Sequence, residues 1–178
     1  MIEHILTILT RPQSTTKYAF FQNPTYHFEF SIFQEAGFSK HQFVSVPDDG
    51  NGLDVDHLEL SLKEKFGSGS DSTDGYYNAV LYCVPTHANP SSSILSEGRR
   101  EKLVRLAKQY NVLIICDDVY ELLTYQGIPP KRVVAYDLES DSKPVVISNC
   151  SFSKILAPGM RVGWVEAHEI LVKRLGLR

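Results

Sequence analysis

The chain is poor in cysteine, nearly balanced in charge and without any apolar run long enough to span a bilayer. Each shortage removes a class of protein. Its three cysteines in 178 residues, Cys83, Cys116 and Cys150, each end or nearly end an apolar run and share no close spacing. That excludes a disulfide framework and a C-x-x-C metal site, and reads as reduced thiols packed at strand ends. A formal charge of -3 leaves no basic excess, and no basic run tracks a phosphate backbone, so no nucleic-acid partner is expected. Six histidines are scattered without acids at ligand spacing, so no metal is expected. Met1 to Pro12 carries an acid and a histidine where a signal peptide is basic, and has no small-residue cleavage site. No membrane partner is expected, and a reducing compartment, the cytoplasm, is the expected location. Asn149-Cys150-Ser151 matches a glycosylation sequon, but inside an expected strand. What is present, 43% hydrophobic and 22% charged residues, excludes disordered, collagen-like and coiled-coil classes. The length suits one domain, or one domain with a fragment of another.

The apolar pattern alternates between short runs and helical stripes. Ile5, Leu6, Ile8 and Leu9 form a helical stripe stopped by Arg11-Pro12, and Tyr18 to Phe21 reads as a strand. Phe28, Ile32 and Ala36 lie on one face of a helix closed by Gly37, and Gln42 to Val46 is the next strand. Asp54 or Asp56 caps a helix with Leu58, Leu62 and Phe66 on one face, followed by a polar loop over Gly67 to Gly75. Ala79 to Val84 is a strand. Ser96 caps a helix whose inner face is Leu103, Leu106, Ala107 and Tyr110, its other side Arg and Lys, and Asn111 ends it. Val112 to Cys116, Val145 to Cys150 and Val162 to Val165 are further strands, and a last helix begins near Ala167 and runs to Arg178. Strands alternating with helices imply an α/β domain with a mainly parallel sheet and no internal repeat.

In open α/β sheets ligands bind beyond the carboxyl ends of strands. Three such ends carry reactive side chains: Val84-Pro85-Thr86-His87-Ala88-Asn89-Pro90, Asp117-Asp118-Val119-Tyr120 and Ser151-Phe152-Ser153-Lys154. Singly, each has a plain reading as a cap, a solvated lysine or a packing tyrosine. Together and in this order, N-P after a strand, then D-x-x-Y, then S-x-S-K followed by P-G-x-R-x-G-W resembles the class I/II aminotransferases, fold-type I pyridoxal phosphate enzymes. The nearest branch is that of 2-aminoadipate and aromatic aminotransferases. Asn23-Pro24-Thr25-Tyr26 and Glu35-Ala36-Gly37-Phe38 fit the same family, and the resemblance runs from about Ile5 to Leu175.

The resemblance implies a three-layer α/β/α large domain and pyridoxal 5'-phosphate as cofactor. Lys154 would hold the cofactor's aldehyde carbon and later move a proton. Asp117 would keep the pyridine nitrogen protonated, leaving Asp118 as a solvated turn residue. Asn89 and Tyr120 would donate to the ring oxygen, Ser151, Ser153 and Arg161 would bind the phosphate, and Tyr26 would stack on the ring. A core tyrosine is the other reading of Tyr26. The implied reaction moves an amino group from an α-amino acid, 2-aminoadipate or an aromatic one, to 2-oxoglutarate, in a homodimer when full-length.

Departures from the family pattern shape the remaining expectations. Asn89-Pro90-Ser91-Ser92 stands where the family has N-P-T-G, and Pro12-Gln13-Ser14-Thr15 and Phe21-Gln22 replace family residues upstream. The glycine-containing phosphate loop belongs before Met1 and the small domain after Arg178. Residues 1–178 are therefore expected to be a large domain incomplete at both ends and weakly active or inactive. A non-catalytic partner of a full-length paralogue, and a C–S lyase or cyclopropane-forming synthase on the same scaffold, share these residues. The S-x-x-K serine-nucleophile motif also matches Ser151 to Lys154, but lacks its S-D-N and K-T-G companions and meets Pro158-Gly159 four residues on.

Overall fold

The computed structural model describes residues 1–69 and 74–176. Of the polar loop expected over Gly67 to Gly75, positions 70–73 lie outside the described residues, as do 177 and 178; the last helix, expected to run to Arg178, ends at Arg174.

The expected strands form within one or two residues of their sequence limits. They are β1 (Tyr18–Asn23), β2 (Phe43–Pro47), β3 (Ala79–Cys83), β4 (Val112–Asp117), β5 (Val146–Ser151) and β6 (Gly163–Ala167), joined in the order β2-β1-β3-β4-β5-β6. The first five are parallel, and β6 returns antiparallel to β5. Every residue of β3, and Val112 to Cys116 of β4, is buried. Continuous burial requires cover on both faces, so the domain is a three-layer α/β fold. The helices α1 (Ile2–Leu9) and α2 (Glu29–Glu35) touch each other. A second group runs through α3 (Val55–Phe66), α4 (Glu97–Tyr110) and α5 (Val133–Leu138), with α6 (Glu169–Arg174) against β6. The strand order turns back between β1 and β3, a switch point of the kind that opens a crevice at strand carboxyl ends.

Asp54 caps α3, its carboxylate accepting from the amides of Asp56 at 3.1 Å and His57 at 2.9 Å. Ser96 occupies the cap position of α4, but its side chain makes no capping bond. Asn111 ends α4 in the left-handed conformation, φ 54°. Two helix faces differ from the sequence pattern. In α2 the inward residues are Glu29 and Phe33, while Phe28 precedes the helix and is exposed. Ile32 and Ala36 still pack, half-buried, against the core. The Arg and Lys side of α4 is not wholly solvated, because Arg100 is fully buried. Its guanidinium donates to the carbonyls of Leu95 at 2.7 Å and Pro85 at 2.8 Å, and to Thr86 Oγ1 at 2.9 Å. Helix α5, six residues after Pro129-Pro130, is too short to show a period in sequence.

Helix α5 nevertheless fixes the strand that carries Lys154. Asp137 is buried, and one of its oxygens accepts from the amides of Val145 and Val146, each at 2.9 Å, at the start of β5. Its other oxygen lies 3.0 Å from Lys108 Nζ of α4. Asp137→Ala is expected to cost about 2–4 kcal/mol in urea unfolding, since two buried amides and a lysine lose their partner at once.

Candidate active site

The carboxyl ends of four parallel strands converge on one cavity. Tyr26 follows β1, Asn89 lies in the loop after β3, Asp117 ends β4 and Tyr120 follows it. Ser151 ends β5, and Ser153 and Lys154 lie in the first 3-10 turn beyond it, with Arg161 just after a second one, Pro158–Met160. All eight line a cavity of about 280 Å³, together with Val84, Val119 and Pro158. The arrangement brings together every site residue expected from sequence. Tyr26 is 39% exposed, so it is a cavity wall and not a core residue.

Short-range chemistry shapes the lysine turn. The Ser151 hydroxyl accepts from the Ser153 amide at 3.1 Å and donates to Ser153 Oγ at 2.9 Å, which folds the chain back on itself. The Phe152 ring packs on Trp164 at 4.7 Å, and its amide donates to the Val162 carbonyl at 3.1 Å. Gly163 is required there, because a Cβ would lie 2.5 Å from the Cys150 carbonyl oxygen. Lys154 itself is exposed to the cavity, its Nζ 5.9 Å from the centre of the Tyr120 ring. The two serines and Arg161 also line a neighbouring space of about 360 Å³, so they stand as a polar partition between two cavities.

Asp117 supplies the carboxyl group of the site. Its Oδ2 accepts from the Tyr82 hydroxyl at 2.8 Å and its Oδ1 from Asn149 Nδ2 at 2.9 Å. Burial pushes its carboxyl above the usual range, while those two donors and the charge of Lys154 pull it back down. Burial likewise holds Tyr82 well above an ordinary phenol, so it stays a donor. Asp118 is not the solvated turn residue expected from sequence. Only 4% exposed, it points to the opposite face of the strand end and accepts from the Ser148 hydroxyl. Burial raises its carboxyl too.

Tyr82, Asn149 and Glu29 are neighbours of the site that sequence reasoning missed. For Asn149 a signal existed: it is the register partner of Asp117 when the two apolar runs are laid side by side. Glu29, at the start of α2, is 4% exposed, and its Oε2 has no hydrogen-bond partner among the described residues. Burial, and then the charge of Asp117, raise it from 4.5 to about 7. A folded-state value above the unfolded one means stability present below pH 4.5 and lost as pH rises towards 7. The shift corresponds to about 3 kcal/mol. Urea unfolding of Glu29→Gln is expected to show a flatter pH profile over that interval and a more stable protein at pH 8. Parallel profiles for the two proteins would remove the account.

The aminotransferase class I and II family model matches residues 2–177. Aromatic-amino-acid aminotransferase 1 of Thermococcus litoralis is 36% identical over 152 residues, 85% of this chain and 33% of that protein. The chain thus spans about a third of the length of the curated relatives it matches first. Among solved structures, the multiple substrate aminotransferase of Thermococcus profundus superimposes with a TM-score of 0.79 at 33% identity, covering 98% of this chain and 39% of that one. The kynurenine aminotransferase of Pyrococcus horikoshii, solved in complex with PMP, gives 0.78 at 33% identity over the same shares.

Proposed function

The chain belongs to the class I and II aminotransferase family, and we propose that it is the central part of the cofactor-binding domain of a pyridoxal phosphate-dependent aminotransferase. The single observation that carries the reading is the cavity in which an amine, a half-buried carboxyl group, two hydroxyls and a guanidinium meet. This donor set fits pyridoxal phosphate: the serines and Arg161 suit a phosphate, Asp117 a ring N–H, and Lys154 an aldehyde. The cofactor supplies, when bound, an aldehyde that takes up an amino group and a ring that draws electrons from the amino acid's Cα.

The chain's own residues do the rest. Tyr82 and Asn149 orient Asp117 by donating to it, so that it would hold a proton on the ring nitrogen. Ser151, Ser153 and Arg161 would bind the phosphate, and the turn that the two serines form aims Lys154. The amine of Lys154 would hold the cofactor's aldehyde carbon covalently and, once the substrate amine had displaced it from that carbon, would be free to carry the proton away from, or back to, the substrate Cα. Asn89 and Tyr120 would donate to the ring oxygen, and Tyr26 would cover the ring face. The amino donor is an aromatic amino acid or 2-aminoadipate and the acceptor 2-oxoglutarate; the name of the Thermococcus litoralis relative supports the aromatic donor. The active unit is a cytoplasmic homodimer of the longer protein.

The test is an absorbance spectrum with added pyridoxal phosphate, followed by borohydride trapping and peptide mapping. Trapping is expected on Lys154. Trapping on another lysine, or on none, would overturn the assignment.

A further inference from the structure

The loop that carries Asn89 is held in an unfavourable shape. Between β3 and α4 the chain makes a tight excursion in which two residues with a Cβ, His87 at φ 53° and Ser92 at φ 60°, take the left-handed conformation that favours glycine. Arg100 ties the two ends of this excursion by donating to the Pro85 and Leu95 carbonyls. The middle is tied elsewhere. Asp48, just past β2, takes three donors on one oxygen: Gln22 Nε2 at 2.8 Å, Ser91 Oγ at 2.7 Å and Ser93 Oγ at 2.5 Å. Its other oxygen accepts from the Gly50 amide at 2.9 Å. Asp48 also donates its own amide to the Asn23 carbonyl at 2.9 Å, at the root of the segment that carries Tyr26. Gln22 closes the ring by accepting from the Val84 amide at 3.0 Å, where the Asn89 loop leaves β3.

One carboxylate therefore joins the two segments that bear Tyr26 and Asn89, on opposite sides of the switch point. We propose that Asp48 is a positioning residue that locks the Asn89 loop in its left-handed turn and so sets the donor facing the cofactor's ring oxygen. The ligand in this statement rests on the functional reading above; the lock itself does not. A carboxylate is required because three donors converge on one oxygen while an amide N–H faces the other. An asparagine in its place would meet that N–H with a second donor. Burial works against ionisation of Asp48, but the Ser93, Ser91, Gly50 and Gln22 donors hold its carboxyl below the usual range, so it is charged near neutral pH.

Amide hydrogen exchange on this chain without cofactor tests the lock. In Asp48→Ala, and separately in the double variant Ser91→Ala with Ser93→Ala, exchange over residues 86–95 is expected to rise roughly tenfold or more, with β3 and β4 unchanged. Adding Ser92→Gly to Asp48→Ala is expected to recover part of the protection, because glycine holds the turn without help. Unchanged exchange over 86–95, equal loosening everywhere, or no recovery with Ser92→Gly would overturn the lock. With pyridoxal phosphate added, Asp48→Ala is expected to raise the pH midpoint of the bound chromophore, since an anionic ring oxygen that loses a donor binds its proton more tightly. An unmoved midpoint would show that Asp48 does not act on the cofactor. A wild-type chain that forms no chromophore at all would overturn the functional reading, and the exchange results would then decide the lock alone.

Discussion

Lys154→Ala is expected to abolish borohydride-trappable attachment of pyridoxal phosphate and to lower transamination by the longer protein about 10²–10⁴-fold. Two functions leave together, because the same amine holds the cofactor and carries the proton. Binding is expected to survive in weaker, non-covalent form, because the Ser151–Ser153 turn and Arg161 do not depend on the lysine side chain. Lys154 Nζ makes no hydrogen bond among the described residues and its side chain is exposed, so removing it leaves no buried group without a partner. Stability should stay within the ±0.5 kcal/mol typical of a surface substitution. A small primary amine added in excess should recover part of the rate, as a free amine can move the proton but is not aimed by the turn. The measurements are the absorbance spectrum, mass after borohydride and turnover with and without added amine. Retained trapping on another lysine would show that Lys154 is not the attachment point.

The residues that could be read from sequence are those whose meaning lies in order along the chain. Apolar runs ending in reactive side chains announced β3, β4 and β5, and the cavity gathers what those ends carry. What stayed hidden depends on contacts between segments distant in sequence. Tyr82 and Asn149 act on Asp117 from neighbouring strands, across 35 and 32 residues of chain. Nothing local distinguishes them from other strand residues. The pair Asp117 and Asp118 shows the limit most clearly. Their one-residue offset sends the first to the cavity and the second to Ser148, yet sequence offered only two adjacent acids at a strand end. The periodicity in α2 gave Ile32 and Ala36 as packed residues but could not show that the helix starts after Phe28 and turns Glu29 inward. Arg100 defeats the hydrophobic pattern for a related reason: buried carbonyls of a distant loop satisfy its guanidinium, so a charged residue sits on an inner face. The three strand ends belong to the pattern, and the shell that tunes them belongs to the tertiary structure.

That shell makes the second large effect separable from folding. In Asp117→Asn the side chain keeps its volume, the Tyr82 hydroxyl still donates to the amide oxygen, and Asn149 can turn its own oxygen to meet the new N–H. The folded chain gives up a carboxylate whose ionisation burial opposes. The sign follows. A group raised in the folded state contributes stability below its unfolded value and loses it as pH rises through the folded one, so the neutral amide removes that loss. Unfolding at neutral pH should therefore show Asp117→Asn at least as stable as the original chain. The opposite is expected for function. An amide carries no charge to hold a proton on the ring nitrogen, and the electron withdrawal that drives Cα proton loss depends on that charge. Removing one fixed electrostatic stabiliser of this kind costs about 10²–10³ in rate. Covalent attachment at Lys154 does not need the ring charge and should persist, visible by borohydride trapping in the variant. Three measurements on one substitution thus point in different directions: stability held or raised, trapping retained, and turnover of the longer protein lowered by at least about 10²-fold. A residue serving only the fold would lower the first and leave the third to follow it. Turnover near that of the original protein, with trapping intact, would show that another group holds the ring proton and that Asp117 serves only to order the strand ends.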